Sequence, residues 1–237
     1  HNLMKLSSLG YQEGFYYKPR IDKDILREHS KGLVGSSACL SSPINRMALM
    51  GTEEQLRSEI EDYNDIFESG SFFLEIQDHG LKEQRDILEK IPPLAKEYGI
   101  PMIATNDVHY LEKEDARAQE IHLCINTGKT MEDDDRLRMH TSEFFFRNKE
   151  EMDCIFKDFP EAIENTVMIA EMCNLELDFS KTHLPPFTID KDEKEDDPEA
   201  YFLRLCRDGC RERYDDFDEN QEALDRLEYE VGVIKEM

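Results

Sequence analysis

An α/β fold with helices packed around a parallel sheet is the architecture this sequence predicts, and three observations predict it. Apolar runs of strand length alternate with amphipathic stretches of helix length from residue 22 to residue 126. Each return to a strand through a helix implies a right-handed crossover and parallel neighbours. Three expected strands end at groups able to bind metal or move protons: Cys39, Asp78-His79 and Asp107-Val108-His109. In parallel α/β folds the chemistry gathers at the carboxyl ends of the strands.

The elements follow in order. Residues 2–14 read as a short helix ended by glycine, and Phe15-Tyr16-Tyr17-Lys18-Pro19-Arg20 as an aromatic, basic loop. Residues 22–30 make a second helix with an acidic first turn, stopped at Gly32. Residues 33–39 are apolar and then small, which predicts a buried strand ending at Cys39. Thr52, with Gln55 three residues on, has the spacing of a capping box and opens a helix to about Ser69. Residues 71–77 form a second strand. Residues 81–98 form a helix that Pro92-Pro93 should kink or split, because neither proline offers an N–H. Residues 100–106 are a third strand and 114–126 another helix. A short strand-like Phe144-Phe145-Phe146 precedes helices at 149–156 and 160–173.

Composition narrows the function. The chain has 237 residues, 39% hydrophobic and 35% charged, a net charge of −25 and no Trp. A surface this acidic repels phosphate, which argues against a free-standing nucleic-acid-binding module. It leaves room for a piece of a larger protein whose basic groove lies elsewhere. Six cysteines lack any CxxC pair and read as reduced thiols in a cytoplasmic protein. No run approaches the ~20 apolar residues of a membrane span, and no secretory signal opens the chain. Both ends read as cut, since helical periodicity begins at Asn2 and the 227–237 pattern stops without a cap.

Candidate sites each carry two readings. Asp107 and His109 alternate onto one side of an extended segment, and oxygen and nitrogen donors at that spacing suit zinc or manganese. The bland reading is an Asp and a His tying a loop. Cys39 is either a thiolate ligand or an inert buried thiol. His79, near Glu75 and Asp78, could handle protons or lie close to substrate, or it could orient a loop. Lys18 and Arg20 among Phe15, Tyr16 and Tyr17 could meet single-stranded nucleic acid, or the loop could simply be packed. Thr127-Gly128-Lys129-Thr130 looks like the end of a phosphate loop, but Leu123 stands where that loop needs glycine, so nucleotide binding is rejected. His122 and Cys124 read as helix residues without a ligand role. Cys206 and Cys210 share a helix face and read as packing.

Several strings in order resemble the bacterial replicative DNA polymerase III alpha subunits. They are Asn2-Leu3-Met4-Lys5-Leu6, the run from Glu13 through Phe15-Tyr16-Tyr17-Lys18-Pro19-Arg20 to Asp22, Ser37-Ala38-Cys39-Leu40 and Leu74-Glu75-Ile76-Gln77-Asp78-His79-Gly80. Ala104-Thr105-Asn106-Asp107-Val108-His109-Tyr110, Thr127-Gly128-Lys129-Thr130, Leu184-Pro185-Pro186-Phe187 and Arg226-Leu227-Glu228-Tyr229-Glu230 complete the set.

The resemblance implies the later part of a PHP (polymerase and histidinol phosphatase) domain. That domain is a distorted β/α barrel of the metal-dependent hydrolase type with a polynuclear metal site. It implies residues 1–185 as PHP, 186–197 as an acidic linker and 198–237 as the helical entrance to the polymerase palm. Cys39, Asp107 and His109 fall on ligand positions for zinc or manganese. A His-x-His motif is implied before His1 and the palm aspartates beyond Met237, so no catalytic residue of the polymerase is expected within the chain. The implied parent copies DNA with deoxynucleotides and magnesium, and its PHP site is a 3'-5' exonuclease or phosphoesterase, or a structural remnant of one. Implied partners are DNA, a proofreading exonuclease and a sliding clamp. The alternatives are a free-standing PHP-type phosphoesterase and a non-catalytic scaffold for replication proteins.

Overall fold

The computed structural model describes residues 1–182, 185, 187–190 and 197–236. Most of the acidic run 190–197, and parts of the Leu184-Pro185-Pro186-Phe187 string, lie outside the described residues. Contacts divide the chain into two compact units, His1–Leu175 and Glu176–Met237.

The first unit is built on three parallel strands, β1 (Gly35–Ser36), β2 (Phe72–Ile76) and β3 (Met102–Ala104), in the order β1-β2-β3. The parallel α/β prediction therefore holds, and the sheet is open among the described residues. Its register places Gly35 beside Phe72 and Leu74 beside Met102. In β2, Phe72, Leu74 and Ile76 alternate onto the face packed by helices. That face meets α3 (Pro43–Met50), α4 (Glu53–Ile66) and α5 (Lys82–Tyr98), whose Ala48, Ile60 and Ile91 are wholly buried with it. Tyr63 and Phe67 stack on Phe72 at 5.9 and 5.6 Å. On the opposite face, Glu75 accepts from Ser36 Oγ (2.6 Å), Thr105 Oγ1 (2.5 Å) and Gln77 Nε2 (3.1 Å).

Local chemistry explains the helix boundaries. The first helices are α1 (Asn2–Gln12) and α2 (Lys23–Glu28), the latter capped by Asp22. Thr52 and Gln55 close the expected capping box on α4 reciprocally. Helix α5 decides between two expectations: Pro92 and Pro93 do not split it, and it runs from Lys82 to Tyr98 as one element. Burial of Ile87, Ile91, Leu94 and Ala95 along one face outweighs the two missing donors. Gly99, at φ 65, ends it in the left-handed region. The sequence reading also missed α3, although Ser42 caps it and Pro43 opens it.

After β3, a short 3-10 turn (Lys113–Asp115) leads into α6 (Ala116–Thr127). The expected Phe144–Phe146 strand is a single parallel bridge, Tyr110 to Phe145. Then come α7 (Lys149–Ile155) and α8 (Pro160–Met172). Asn165 of α8 donates to the Met102 carbonyl at 2.7 Å, so a side chain satisfies a backbone group on the far edge of β3.

In the second unit, α9 (Pro198–Arg213) begins at the Asp197 cap, and α10 (Gln221–Glu236) follows a 3-10 turn at Phe217–Glu219. Among its described residues, Phe217 and Val231 are the buried apolar ones.

Candidate functional site: the carboxyl edge of the sheet

Beyond β3 the chain carries Asn106, Asp107 and His109 across the carboxyl edge of the sheet. Asp107 Oδ1 and His109 Nε2 come within 3.2 Å of each other, and both side chains are about 40% exposed. An oxygen and a nitrogen donor thus stand together at the sheet edge, as the spacing of two predicts. The backbone holds them in place. His109 N–H donates to the Phe144 carbonyl at 2.8 Å, and Phe146 N–H to the Tyr110 carbonyl at 3.0 Å.

Behind this pair lies His79, which is wholly buried. Gln84 Oε1 accepts from the His79 N–H at 2.7 Å, which turns the Gln84 amide nitrogen toward His79 Nδ1 at 2.9 Å. An amide N–H facing Nδ1 makes that atom an acceptor and puts the proton on Nε2. Nε2 lies 3.2 Å from Asn106 Oδ1, to which a protonated Nε2 donates. The Asp107 backbone N–H is directed at the same Nε2 at 3.1 Å, so this atom either donates to Asn106 or accepts from Asp107, one contact at a time. Burial holds the His79 pKa below its ordinary value, so the ring stays neutral. The expectation for His79 was a substrate-proximal group, and in this chain its ring is enclosed. Its ring contacts Asn106 Oδ1 and the Asp107 backbone N–H, the two residues that open the sheet edge.

The ring of Phe144 links the two histidines. It stacks on His79 with centroids 4.6 Å apart and meets His109 edge-on at 5.5 Å. Arg147 closes the back of the site. It donates to Asn106 Oδ1 (3.2 Å) and to Glu143 (2.9 Å), and its guanidinium lies 5.0 Å from the centre of the Phe145 ring. Lys113, with Arg147 beside it, holds the Glu143 carboxyl below its ordinary range. Sequence reasoning missed Gln84, Asn106, Phe144 and Arg147 as a group. The phenylalanine run was the one visible signal, and it was read only as a strand.

Two predictions arise here. Arg147→Ala removes a buried cation and leaves Glu143 and Asn106 short of a donor, so urea stability should fall by about 3 kcal/mol. A fall under 1 kcal/mol would mean the buttress is dispensable. Glu143 has a depressed folded pKa, so its contribution is complete above about pH 4.5 and is lost as pH drops through the folded value. An acid titration of Glu143→Gln should therefore be flatter than wild type below pH 4.5. Parallel curves would refute the coupling.

Cys39 corrects another expectation. β1 ends at Ser36, and Ala38 turns the chain at φ 54, so Cys39 lies in a bend rather than at a strand end. Asn45 Nδ2 pins that bend by donating to the Ala38 and Cys39 carbonyls, each at 3.0 Å. The Cys39 thiol sits 3.3 Å from Ser41 Oγ. Among the described residues, no three His, Cys, Asp or Glu side chains are grouped to hold a metal ion. Of the three expected ligands, Asp107 and His109 stand together, and Cys39 is not grouped with them. All six cysteines are free thiols. Among the described residues, no helix is long and apolar enough to cross a membrane.

Comparison with known proteins gives this edge its context. A family described as PHP domain matches residues 1–79. The DNA polymerase III subunit alpha of Borreliella burgdorferi is 41% identical over 98% of this chain and 20% of its own length. The subunit alpha of Helicobacter pylori is 41% identical over 100% of the chain and 21% of its own length, and that of Treponema pallidum 39% over 100% and 20%. The chain spans about a fifth of the length of the curated relatives it matches. From end to end the chain is similar to one continuous fifth of these DNA polymerase III alpha subunits, and its first third carries the PHP match.

Proposed function

We propose that this chain supplies the later PHP segment and the approach to the palm of a replicative DNA-directed DNA polymerase. The observation that carries the reading is the ordered match, end to end, with proteins named DNA polymerase III subunit alpha. Residues 1–185 are the PHP part, 186–197 a linker and 198–237 the helical entrance to the palm. The parallel sheet with helices on one face is an arc of the distorted PHP barrel. Primer extension belongs to the longer polypeptide, with magnesium and deoxynucleotides at palm aspartates that this chain lacks. Its partners there are DNA, a proofreading exonuclease and a sliding clamp, and its compartment is the cytoplasm.

At the PHP site, Asp107 and His109 serve one zinc or manganese ion, with further ligands from the longer polypeptide. Cys39 serves another ion of the same polynuclear site. A bound ion would supply Lewis acidity for phosphoester hydrolysis. His79 and Asn106 hold Asp107 in place, and Phe144 sets the plane against which His109 turns.

Zinc and manganese titrations followed by calorimetry test this. The chain should bind one equivalent weakly, several orders of magnitude less tightly than a complete ligand shell, because two donors satisfy half of a four-coordinate ion. Asp107→Asn with His109→Ala should abolish that binding and leave the far-UV circular dichroism unchanged. Equal binding in the double variant would remove these residues from the ligand set. Primer extension by the chain itself would contradict the division of labour.

A further inference from the structure

The Phe15–Arg20 loop has no part in the site at the sheet edge, and it is built to present aromatic rings to solvent. Gly14 makes the loop possible, because a Cβ there would meet the Arg20 carbonyl oxygen at 1.9 Å. A backbone bridge from Tyr16 to Lys18 closes the tip. Tyr17, at the apex, adopts φ 61, a left-handed conformation that a bulky residue rarely takes. This strain gains no burial: Tyr17 is 84% exposed, Tyr16 62% and Phe15 57%. Packing therefore does not explain the loop. Strain kept at an exposed aromatic tip points to a binding role.

The rings are arranged. Tyr16 and Tyr17 meet edge to face with centroids 4.6 Å apart, and Tyr11 stacks with Phe15 at 6.1 Å. The Arg20 guanidinium lies 5.0 Å from the centre of the Tyr16 ring, and its Nε donates to the Gly14 carbonyl at 3.5 Å. Lys18 and Arg20 are exposed, and no acid occurs between Phe15 and Ile21. In a chain of net charge −25, this is a local positive tip carrying flat rings.

We propose that this loop is a stacking finger for single-stranded nucleic acid. Tyr16 and Tyr17 offer faces to unpaired bases, while Lys18 and Arg20 neutralise adjacent phosphates. Exposed rings interleaved with cations match the chemistry of unpaired strands, because every base has a π-face and a duplex hides it. The inference stands on the loop alone and goes beyond the polymerase reading.

The test is anisotropy of a fluorescein-labelled twelve-nucleotide dT strand with the full chain at low salt. Binding should be weak, on the order of 10⁻⁵ M, because the acidic body opposes it. Two neutralised phosphates should give a log–log salt slope of about −1.4 on a single strand, and Lys18→Gln should reduce it by about 0.7. Tyr17→Gly removes the ring while suiting φ 61, so the protein should be at least as stable and bind roughly tenfold more weakly.

Four results would overturn the proposal. They are no binding by the wild-type chain, unchanged binding in a folded Tyr17→Gly, equal affinity for a duplex of the same length, and a concentration-dependent dimer in sedimentation that Tyr17→Gly abolishes. The last would mean that a second copy covers the rings. Loss of metal binding in the Asp107/His109 variant should leave dT binding intact, so the two readings fail separately.

Discussion

His79→Ala should cost about 4 kcal/mol of stability in the first unit. The ring is wholly buried, and its removal opens a cavity beneath Phe144. It also leaves the Gln84 amide without its acceptor and Asn106 Oδ1 without one of its donors. An orphaned buried polar group costs about 1–3 kcal/mol, and the lost aromatic contact adds to that. The loss should read out in urea denaturation followed by circular dichroism. Hydrogen exchange should quicken first at residues 102–110, where the backbone depends on this contact. His79→Gln keeps polar atoms in the space and should recover part of the loss. A drop below 1 kcal/mol in the alanine variant would mean that Gln84, Asn106 and Phe144 repack without it. Exchange that quickens uniformly across the unit would deny the local role claimed for the ring.

The second large effect belongs to the central strand. Leu74 is wholly buried in β2, between β1 and β3, on the face shared with α3, α4 and α5. Leu74→Ala should destabilise by about 3–4 kcal/mol, because a strand flanked on both sides cannot collapse into the gap. Leu74→Asp should prevent folding of the first unit, since no cation stands ready to pair a charge there. Leu111 supplies the comparison, being 68% exposed. Leu111→Ala should stay within about 0.5 kcal/mol of wild type. If the two alanine variants proved equal in denaturant midpoint, the core would not be where the packing puts it.

Both predictions rest on features of different origin. The hydrophobic strand was legible, because Phe72-Phe73-Leu74-Glu75-Ile76 is bounded by polar residues and has strand length. So were the helix starts with side-chain caps, such as Thr52 with Gln55, because a cap acts over three residues. The Asp107–His109 pairing was legible for a similar reason: side chains two apart on an extended segment meet without help from the rest of the fold. The ordered polymerase strings were equally local, each read without knowing its neighbours in space.

Tertiary structure decided what depended on distant partners. Local propensity allowed a strand through to Cys39, and only the fold reveals the turn at Ala38 that Asn45 pins. Proline at 92 and 93 argued for a kinked or split helix, and the buried face of α5 carries it past both without a split. His79 looked available for chemistry until Gln84, Asn106 and Phe144 enclosed it. Sequence by itself therefore determined the β/α alternation, the capped helices, the likeness to DNA polymerase III alpha subunits and the paired Asp107 and His109. Tertiary structure decided which polar groups at the sheet edge stay exposed and which serve as props. The reason is one of reach: caps and alternation act across two to four residues, whereas the contacts that His79 and Arg147 make with Asn106 span 27 and 41 residues of chain.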